Sequence, residues 1–258
     1  MNFDRYLTRI GVDRREVTID EAGLRLLQRQ HLLSVPFENL DIHWAGRITI
    51  ATERFYKKIV EERRGGFCYE LNGLFNELLR HLGFATRLVS ARVAMPDGDF
   101  TPEYDHVAIV VEIDEIEYLA DVGFGSFAAE PLRLERDVEQ VDVTGTYVIR
   151  RAADTNGFVV FKKDDSDWRS EYVFLSTGRD LGEFADRCDW QQDSPSSHFK
   201  KGKLCSIMTA SGRKTLTDRS FIVTDGDERN EIPVTTDEEF NSLLKQEFAI
   251  ERANAVYA

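Results

Sequence analysis

A single cysteine, Cys68, follows two glycines in the stretch RRGGFCYELN, where a helical pattern of apolar residues begins. A free thiol has a pKa of about 8.5, and a helix N-terminus or a nearby cation can lower that pKa until the thiolate forms at neutral pH. Gly65 and Gly66 allow close backbone approach and leave the N–H groups of the first helical turn free to hold an oxyanion. The stretch therefore indicates a nucleophile, although cysteine on an apolar helix face is more often a core residue.

A thiolate nucleophile also needs a base and a group that orients the base. His106 is distinctive because it opens the apolar strand HVAIVV, where a polar side chain must find a partner or reach a cavity. His31 and His81 lie among leucines and arginines of predicted helices, where packing or a surface position explains them. His43 and His198 fall in predicted loops, where nothing specific supports a catalytic role.

The spacing between His106 and Asp121 indicates that the two side chains share one face of a hairpin. A two-residue turn at Asp114–Glu115 places His106 opposite Gly123, which makes Asp121 its diagonal neighbour. We expect Asp121 to bind Nδ1 of the imidazole, which leaves Nε2 to face a sulfur. Cys68, His106 and Asp121 thus form a candidate catalytic triad.

Composition limits the class of protein. The 258 residues predict one large domain or two to three subdomains around a shared core, and 42% hydrophobic with 31% charged residues is typical of a globular protein. We find no stretch near the roughly 18 apolar residues of a spanning helix and no apolar signal-peptide core, so we expect a cytoplasmic protein with no membrane partner. Three widely spaced cysteines without a CxxC pair predict free thiols and no metal site. The net charge of −13 argues against nucleic acid as a partner.

One basic patch stands out in this acidic chain. It consists of Lys200, Lys201 and Lys203, followed by Arg213 and Lys214. Two interpretations stay open, a solvated turn and a site for the anionic part of a ligand.

Residues 1 to about 83 have a helical pattern. Thr18 and Glu21 have the spacing of a capping box, and a second helix follows Thr52. A third helix begins near Cys68 and ends at Gly83. Its buried stripe consists of Leu71, Leu74, Phe75, Leu78 and Leu82.

From about 84 to 178 the pattern changes to short β-rich runs, which predict an antiparallel barrel or a strongly curved sheet. A helix follows at about 180–190, and 204–234 again has strand character. Thr236 and Glu239 form a second capping box ahead of a last helix.

Several separated segments resemble the arylamine N-acetyltransferases. They are VPFENL from Val35, RRGGFCYELNGLF from Arg63, the strand opened by His106, DVGFG from Asp121, and KLCSIMTASGRKTLTDRSFIVT from Lys203. The resemblance covers almost the whole chain. It implies an α+β fold with an N-terminal helical bundle (1–83), a central antiparallel β-barrel (84–190) and a C-terminal α/β lid (191–258).

The resemblance also implies a mechanism. The family's catalytic residues carry over onto Cys68, His106 and Asp121, and the acetyl donor is acetyl-coenzyme A, with no metal. Cys68 would take the acetyl group, and an arylamine, arylhydrazine or N-hydroxyarylamine would then remove it, with His106 as the general base.

Further residues match binding positions of the family. Those that would contact the aromatic acceptor are Phe37 and Phe124. Those of the loop that would run past the coenzyme are Gly123, Gly125, Ser126 and Phe127. Those that would support the site through polar contacts are Arg64, Glu38 and Asn72. Core packing remains the alternative for the two phenylalanines, and a structural role for the three polar residues.

Three other functions are compatible with the same residues. A transglutaminase-like cysteine hydrolase uses the same triad on amides, an amide synthase uses it on a carrier-bound acyl chain, and a binding module would keep the coenzyme cleft without catalysis.

Overall fold

Helices and strands occupy largely separate parts of the chain in the computed structural model, which describes residues 1–152, 157–165 and 167–252. The α-helices are α1 (Phe3–Arg9), α2 (Glu21–Ser34), α3 (Leu40–His43), α4 (Thr52–Tyr56), α5 (Cys68–Leu82), α6 (Ala185–Asp193) and α7 (Asp237–Phe248). The strands are β1 (Phe37–Glu38), β2 (Ala85–Val93), β3 (His106–Ile113), β4 (Ile116–Ala120), β5 (Leu132–Arg133), β6 (Glu139–Asp142), β7 (Gly145–Arg151), β8 (Phe158–Asp164), β9 (Asp167–Phe174), β10 (Leu204–Met208), β11 (Gly212–Thr217), β12 (Ser220–Asp225) and β13 (Glu228–Pro233). A π-helical turn, Lys57–Glu61, continues α4.

Helix α5 is the central helix of the N-terminal part. Its predicted apolar stripe is buried, and Gly83 ends the helix with a φ of 109°, a left-handed conformation that glycine adopts without a Cβ penalty. The helix lies between α4 and the outer face of β2 and β3. Cys68 is its first residue, as the sequence predicts.

One of the two predicted capping boxes is wrong. Helix α2 begins at Glu21, but its cap is Asp20, which accepts a hydrogen bond of 2.9 Å from the N–H of Gly23. Thr18 instead donates to the Asp20 carboxylate at 2.7 Å, because the residue directly before the helix reaches the first-turn N–H groups best. The second box, at α7, is confirmed by reciprocal bonds between Thr236 and Glu239.

Strands β2 to β9 form one antiparallel, nearly closed barrel in the order β5-β4-β3-β2-β9-β8-β7-β6. Side chains alternate along β3, so that Ala108 and Val110 pack inside the barrel while Ile109 packs against the helices. The hairpin between β3 and β4 has the predicted two-residue turn, with positive φ at both Asp114 and Glu115.

A second antiparallel sheet has the order β1-β10-β11-β12-β13. Helix α7 covers one face of this sheet through Phe240, Leu244 and Phe248. The sheet takes its first strand from the N-terminal part of the chain, which joins the C-terminal layer to the segment just before α5. Among the described residues, no helix combines the length and the apolar composition that crossing a membrane requires.

Candidate active site

Three chain segments converge on one cavity of about 380 Å³. Cys68 begins α5, His106 begins β3, and Asp121 directly follows β4. All three are buried, with relative exposures of 3%, 2% and 1%. Cys68 and His106 line the cavity, and Asp121 lies behind His106. The other lining residues are Phe37, Val93, Asp105, Gly123, Phe124, Gly125, Ser126, His198, Phe199, Leu204, Ser206, Arg213 and Thr215.

The Asp121 carboxylate is held by four donors. Nε2 of His106 lies 2.7 Å from Oδ2, which also accepts a hydrogen bond of 3.1 Å from the Tyr172 hydroxyl. Oδ1 accepts hydrogen bonds from the Asn72 amide at 2.8 Å and from the N–H of Gly123 at 2.9 Å. A buried carboxylate satisfied in this way has a fixed orientation, so it holds the imidazole in one position.

The structure confirms that His106 and Asp121 share one face, but it corrects the ring atom. We expected Nδ1 to bind the carboxylate, whereas Nε2 does. Ile109 pairs with Ala120, so the register continues to place Asp121 diagonally across from His106. A diagonal neighbour on a hairpin is farther away than the residue directly opposite. Nε2, at the far end of the imidazole, spans this longer distance to Asp121, whereas Nδ1 lies too close to the backbone of His106. Nδ1 is therefore the ring atom without a bond to Asp121.

The surroundings of Cys68 differ from the expectation of a thiol whose pKa is lowered. Burial raises the pKa of the Cys68 thiol well above its usual range, and the negative charge of Asp105 raises that pKa further. A hydrogen bond from the N–H of Val107 acts in the opposite direction with a smaller effect. A thiolate at this position consequently requires a neighbour that accepts its proton, and His106 lines the same cavity.

The cation that precedes the cysteine is already paired. Arg64 Nη2 lies 2.6 Å from Glu38 Oε1 and 2.8 Å from Asp41 Oδ1. Lys58, also buried, lies 2.8 Å from Asp41 Oδ2 and 2.9 Å from Glu70 Oε1. These ion pairs fix the segment before α5 against β1 and α3. They explain why the neighbouring arginine does not stabilise a thiolate.

Glu70 occupies the first turn of α5 and accepts a hydrogen bond of 3.1 Å from the backbone N–H of Phe67. That N–H is therefore not free to hold an oxyanion. Burial raises the pKa of Glu70 to about 7, since three acids, Glu38, Asp41 and Glu70, share two cations, Lys58 and Arg64.

Asn72 connects the thiol helix to the hairpin. Its side chain donates to the backbone oxygen of Val107 at 2.6 Å and to Asp121, and it accepts from the N–H of Val122 at 2.9 Å. Gly123 completes this contact, because a Cβ there would lie 2.8 Å from both the Asn72 amide nitrogen and Cys68 Cα. Of the three residues predicted to support the site, Asn72 is thus the one that touches Asp121.

Aromatic rings form much of the cavity wall. Phe124 meets the His106 ring edge to face at 5.0 Å, and Phe37 lies on the wall 6.1 Å from Phe199. Gly123, Gly125 and Ser126 also line the cavity. Phe127 does not, because it packs in the barrel core against Tyr147 and Tyr172.

Several residues of the site were not foreseen from the sequence. Tyr172, which binds Asp121, comes from β9, and no local pattern connects the two positions. Asp105 directly precedes His106 and accepts hydrogen bonds of 2.6 Å from Arg187 and from Gln191. His198, which we assigned to a loop without a specific role, lines the cavity.

Arg213 is the one residue of the predicted basic patch on the cavity wall. Lys203 lies instead within 3.1 Å of Asp218 and 2.6 Å of Asp237, and Lys214 lies 2.7 Å from Glu247. Successive side chains of a strand point to opposite faces of the sheet, so the neighbouring residues Arg213 and Lys214 of β11 lie on different faces.

Comparison with known proteins links these features to one family. A family model described as N-acetyltransferase matches residues 20–256. A curated relative from Salmonella typhimurium is named arylamine N-acetyltransferase / N-hydroxyarylamine O-acetyltransferase. It is 30% identical over 253 residues, which cover 95% of this chain and 87% of the relative.

Solved structures of such enzymes have the same fold. The arylamine N-acetyltransferase of Salmonella typhimurium superposes with a TM-score of 0.92 at 26% identity, covering 99% of this chain and 93% of that one. The Mycobacterium marinum arylamine N-acetyltransferase, solved in complex with CoA, superposes with a TM-score of 0.87 at 28% identity. The superposition covers 96% of this chain and 93% of the Mycobacterium marinum chain. The α+β architecture with a central antiparallel barrel is therefore shared with these enzymes.

Proposed function

This chain belongs to the arylamine N-acetyltransferase family, and on that premise we propose that it transfers the acetyl group of acetyl-coenzyme A to aromatic amines through an acetyl-Cys68 intermediate. The observation that supports the proposal most directly is the 2.7 Å contact of His106 with Asp121. His106 and Cys68 both line the aromatic cavity. A nucleophile, a base and a group that orients the base are the three parts that acyl transfer requires.

In the first step the Cys68 thiol gives its proton to Nδ1 of His106, because Nε2 is held by Asp121. The imidazolium then forms a charge-assisted hydrogen bond with the carboxylate, which stabilises the ion pair in a site where burial disfavours an isolated thiolate. The sulfur attacks the thioester carbon, the bond from that carbon to the coenzyme sulfur breaks, and His106 protonates the departing thiolate.

In the second step an aromatic amine attacks the acetyl carbon of the thioester on Cys68. Aromatic amines are weak bases, so they are neutral and nucleophilic at pH 7. His106 accepts the proton of the attacking nitrogen, and the Cys68 thiolate leaves. A hydrazine reacts in the same way, and an N-hydroxyarylamine can react through oxygen. Phe37 and Phe124 provide the aromatic surfaces against which the ring of the acceptor packs.

For the coenzyme we propose a path past Ser126. This residue lines both the catalytic cavity and a second, more polar cavity of about 420 Å³. Lys162 lines the second cavity, and its amine would supply a charge for phosphate oxygens there. Lys203 is a poorer partner for phosphate because two aspartates already bind it.

We place the enzyme in the cytoplasm. Cys68, Cys188 and Cys205 are all free thiols, as a reducing compartment would keep them.

Steady-state kinetics test this function. With acetyl-coenzyme A and aniline varied together, two half-reactions that share one enzyme form predict parallel double-reciprocal plots. Converging plots would require both substrates to be bound before any product leaves and would contradict an acetyl-enzyme. Ammonia release from a glutamine peptide without use of acetyl-coenzyme A would favour the hydrolase instead.

A further inference from the structure

Arg213 is a cation on the wall of the catalytic cavity that lacks a carboxylate partner among the residues the structure describes. Its side chain donates a hydrogen bond of 3.1 Å to Ser206 Oγ, and no ion pair within the described ranges includes it. Arg213 and Thr215 face the cavity from β11, while Lys214 and Leu216, on the opposite face, contact α7. Arg213 also borders the second cavity, but Ser206, which accepts the hydrogen bond from its guanidinium, lines the catalytic cavity and not the second one. The position of Arg213 is thus fixed by the register of the strand.

A half-buried guanidinium without an anion is unfavourable, because it loses hydration that no opposite charge replaces. Burial lowers the pKa of Arg213, in contrast to Arg64, whose pKa is raised although burial opposes it, because Glu38 and Asp41 lie beside it. A protein that keeps such a cation in its ligand cavity gains the missing interaction when an anionic ligand binds. The guanidinium fork matches a carboxylate with two parallel hydrogen bonds.

The size of the cavity decides which substrate supplies that anion. A compact cavity of about 380 Å³ is only roughly 9 Å across, and Cys68 and Arg213 share its wall. The pantetheine chain separates the coenzyme sulfur from its phosphates by roughly 15 Å when extended, so the phosphates lie beyond this cavity when the thioester is at Cys68. A carboxylate on the ring of an aromatic amine lies roughly 7 Å from the nitrogen, which fits the cavity.

We propose that Arg213 is a specificity-determining residue that binds a ring carboxylate of the acetyl acceptor, so that this enzyme prefers aminobenzoate-type amines to their uncharged analogues. The inference rests on the proposed acetyl transfer and adds the substrate class. The carboxylate occupies the Arg213 end of the cavity and the amine the Cys68 end.

The test compares two acceptors of nearly equal size, 4-aminobenzoate and 4-aminobenzamide. The enzymes are the wild type, Arg213→Gln, Arg213→Lys and the control Lys214→Gln, which removes a cation from the other face of the same strand. For Arg213→Gln we expect kcat/KM with 4-aminobenzoate to fall roughly 10- to 100-fold, the range for a hydrogen-bonded charge pair, and that with 4-aminobenzamide to stay within about 3-fold. Arg213→Lys should recover part of the loss, and Lys214→Gln should behave as the wild type.

Two further measurements separate the possible failures. The pre-steady-state burst of coenzyme A, recorded without an acceptor, should be unchanged in Arg213→Gln, and a slower burst would assign Arg213 to the coenzyme and overturn the proposal. The affinity of the unacetylated enzyme for 4-aminobenzoate, measured by calorimetry, should fall in Arg213→Gln by the same factor as kcat/KM. This measurement tests the role of Arg213 even if no acetyl transfer is observed. Equal losses with both acceptors, or a wild type that does not favour the carboxylate, would also overturn it.

Discussion

His106 binds Asp121 through its distal nitrogen, with Nε2 2.7 Å from Oδ2, so its proximal nitrogen, Nδ1, is not the atom that the carboxylate holds. The diagonal position of the aspartate on the hairpin sets this arrangement. Because burial raises the thiol pKa of Cys68, we propose that this imidazole, on the wall of the same cavity, accepts the thiol proton at neutral pH.

Replacing His106 with Gln should make Cys68 unreactive at neutral pH. The rate of alkylation by iodoacetamide at pH 7 should fall by roughly 100-fold or more, and it should rise again only above pH 9, because the buried thiol then loses its proton to solvent. Rates are measured from pH 5 to 10 with peptide mapping of the labelled site. Alkylation of the variant at the wild-type rate at pH 7 would show that the thiolate forms without His106.

Asn72→Ala should impair the position of Asp121 and lower stability together. It removes hydrogen bonds to Asp121, Val107 and Val122, so we expect about 2 kcal/mol less free energy of unfolding and acetylation of Cys68 slower by roughly 10-fold or more. Asn76→Ala is the matched control, since Asn76 is also buried on α5 but binds Thr86. It should lower stability and leave the acetylation rate unchanged. Equal slowing by both variants would reduce the role of Asn72 to helix packing.

Glu70 should make stability fall as pH rises towards neutral. Its pKa increases from about 4.5 to about 7 on folding, so between these values the native state holds more protons than the unfolded state. The stabilisation is complete below pH 4.5 and is lost by pH 7, at up to about 1.4 kcal/mol per pH unit. Urea unfolding at pH 5 and pH 7.5 should show this loss in the wild type relative to Glu70→Gln. Glu77→Gln, on the same helix, serves as the control. If the stability difference between the wild type and Glu70→Gln does not change with pH, Glu70 does not take up a proton on folding.

His31 should have the opposite pH dependence. Both ring nitrogens lack a hydrogen-bond partner among the described residues, and burial lowers the pKa of His31 from about 6.5 to about 3. The unfolded state therefore binds the extra proton, so the wild type loses stability as pH falls from 6.5 to 3. His31→Leu should remove this loss, measured by urea unfolding at pH 4.5 and pH 7.5. It should also stabilise the protein by about 1 kcal/mol at pH 7.5, because an unsatisfied polar group is removed. If the free energies of unfolding of the wild type and His31→Leu change equally with pH, the pKa of His31 is not lowered on folding.

The sequence was sufficient for features that depend on local periodicity. The apolar stripe of α5, its end at Gly83 and the even turn that places His106 and Asp121 on one face all follow from spacing within one or two elements. Arg64 shows the limit, because its charge precedes Cys68 in the chain but is neutralised by Glu38 and Asp41 from another segment.

Contacts between strands that are distant in the chain could not be predicted from the spacing of residues in the sequence. Tyr172 approaches Asp121 only because β9 pairs with β2 beside β3 in the barrel. Arg213 reaches the cavity of Cys68 because β11 follows β10 and β1 in the second sheet. Neither pairing has a local signature, since strand order is set by packing over the whole core.

The acetyl-enzyme itself is the most direct test. Pure, reduced and folded protein is mixed with acetyl-coenzyme A without any amine, and intact mass is recorded beside a Cys68→Ala control. We predict that the wild type gains one acetyl group, that Cys68→Ala gains none, and that added aniline returns the wild type to its original mass. An unchanged wild-type mass, or an equal gain in the Cys68→Ala variant, would contradict acetyl transfer through Cys68.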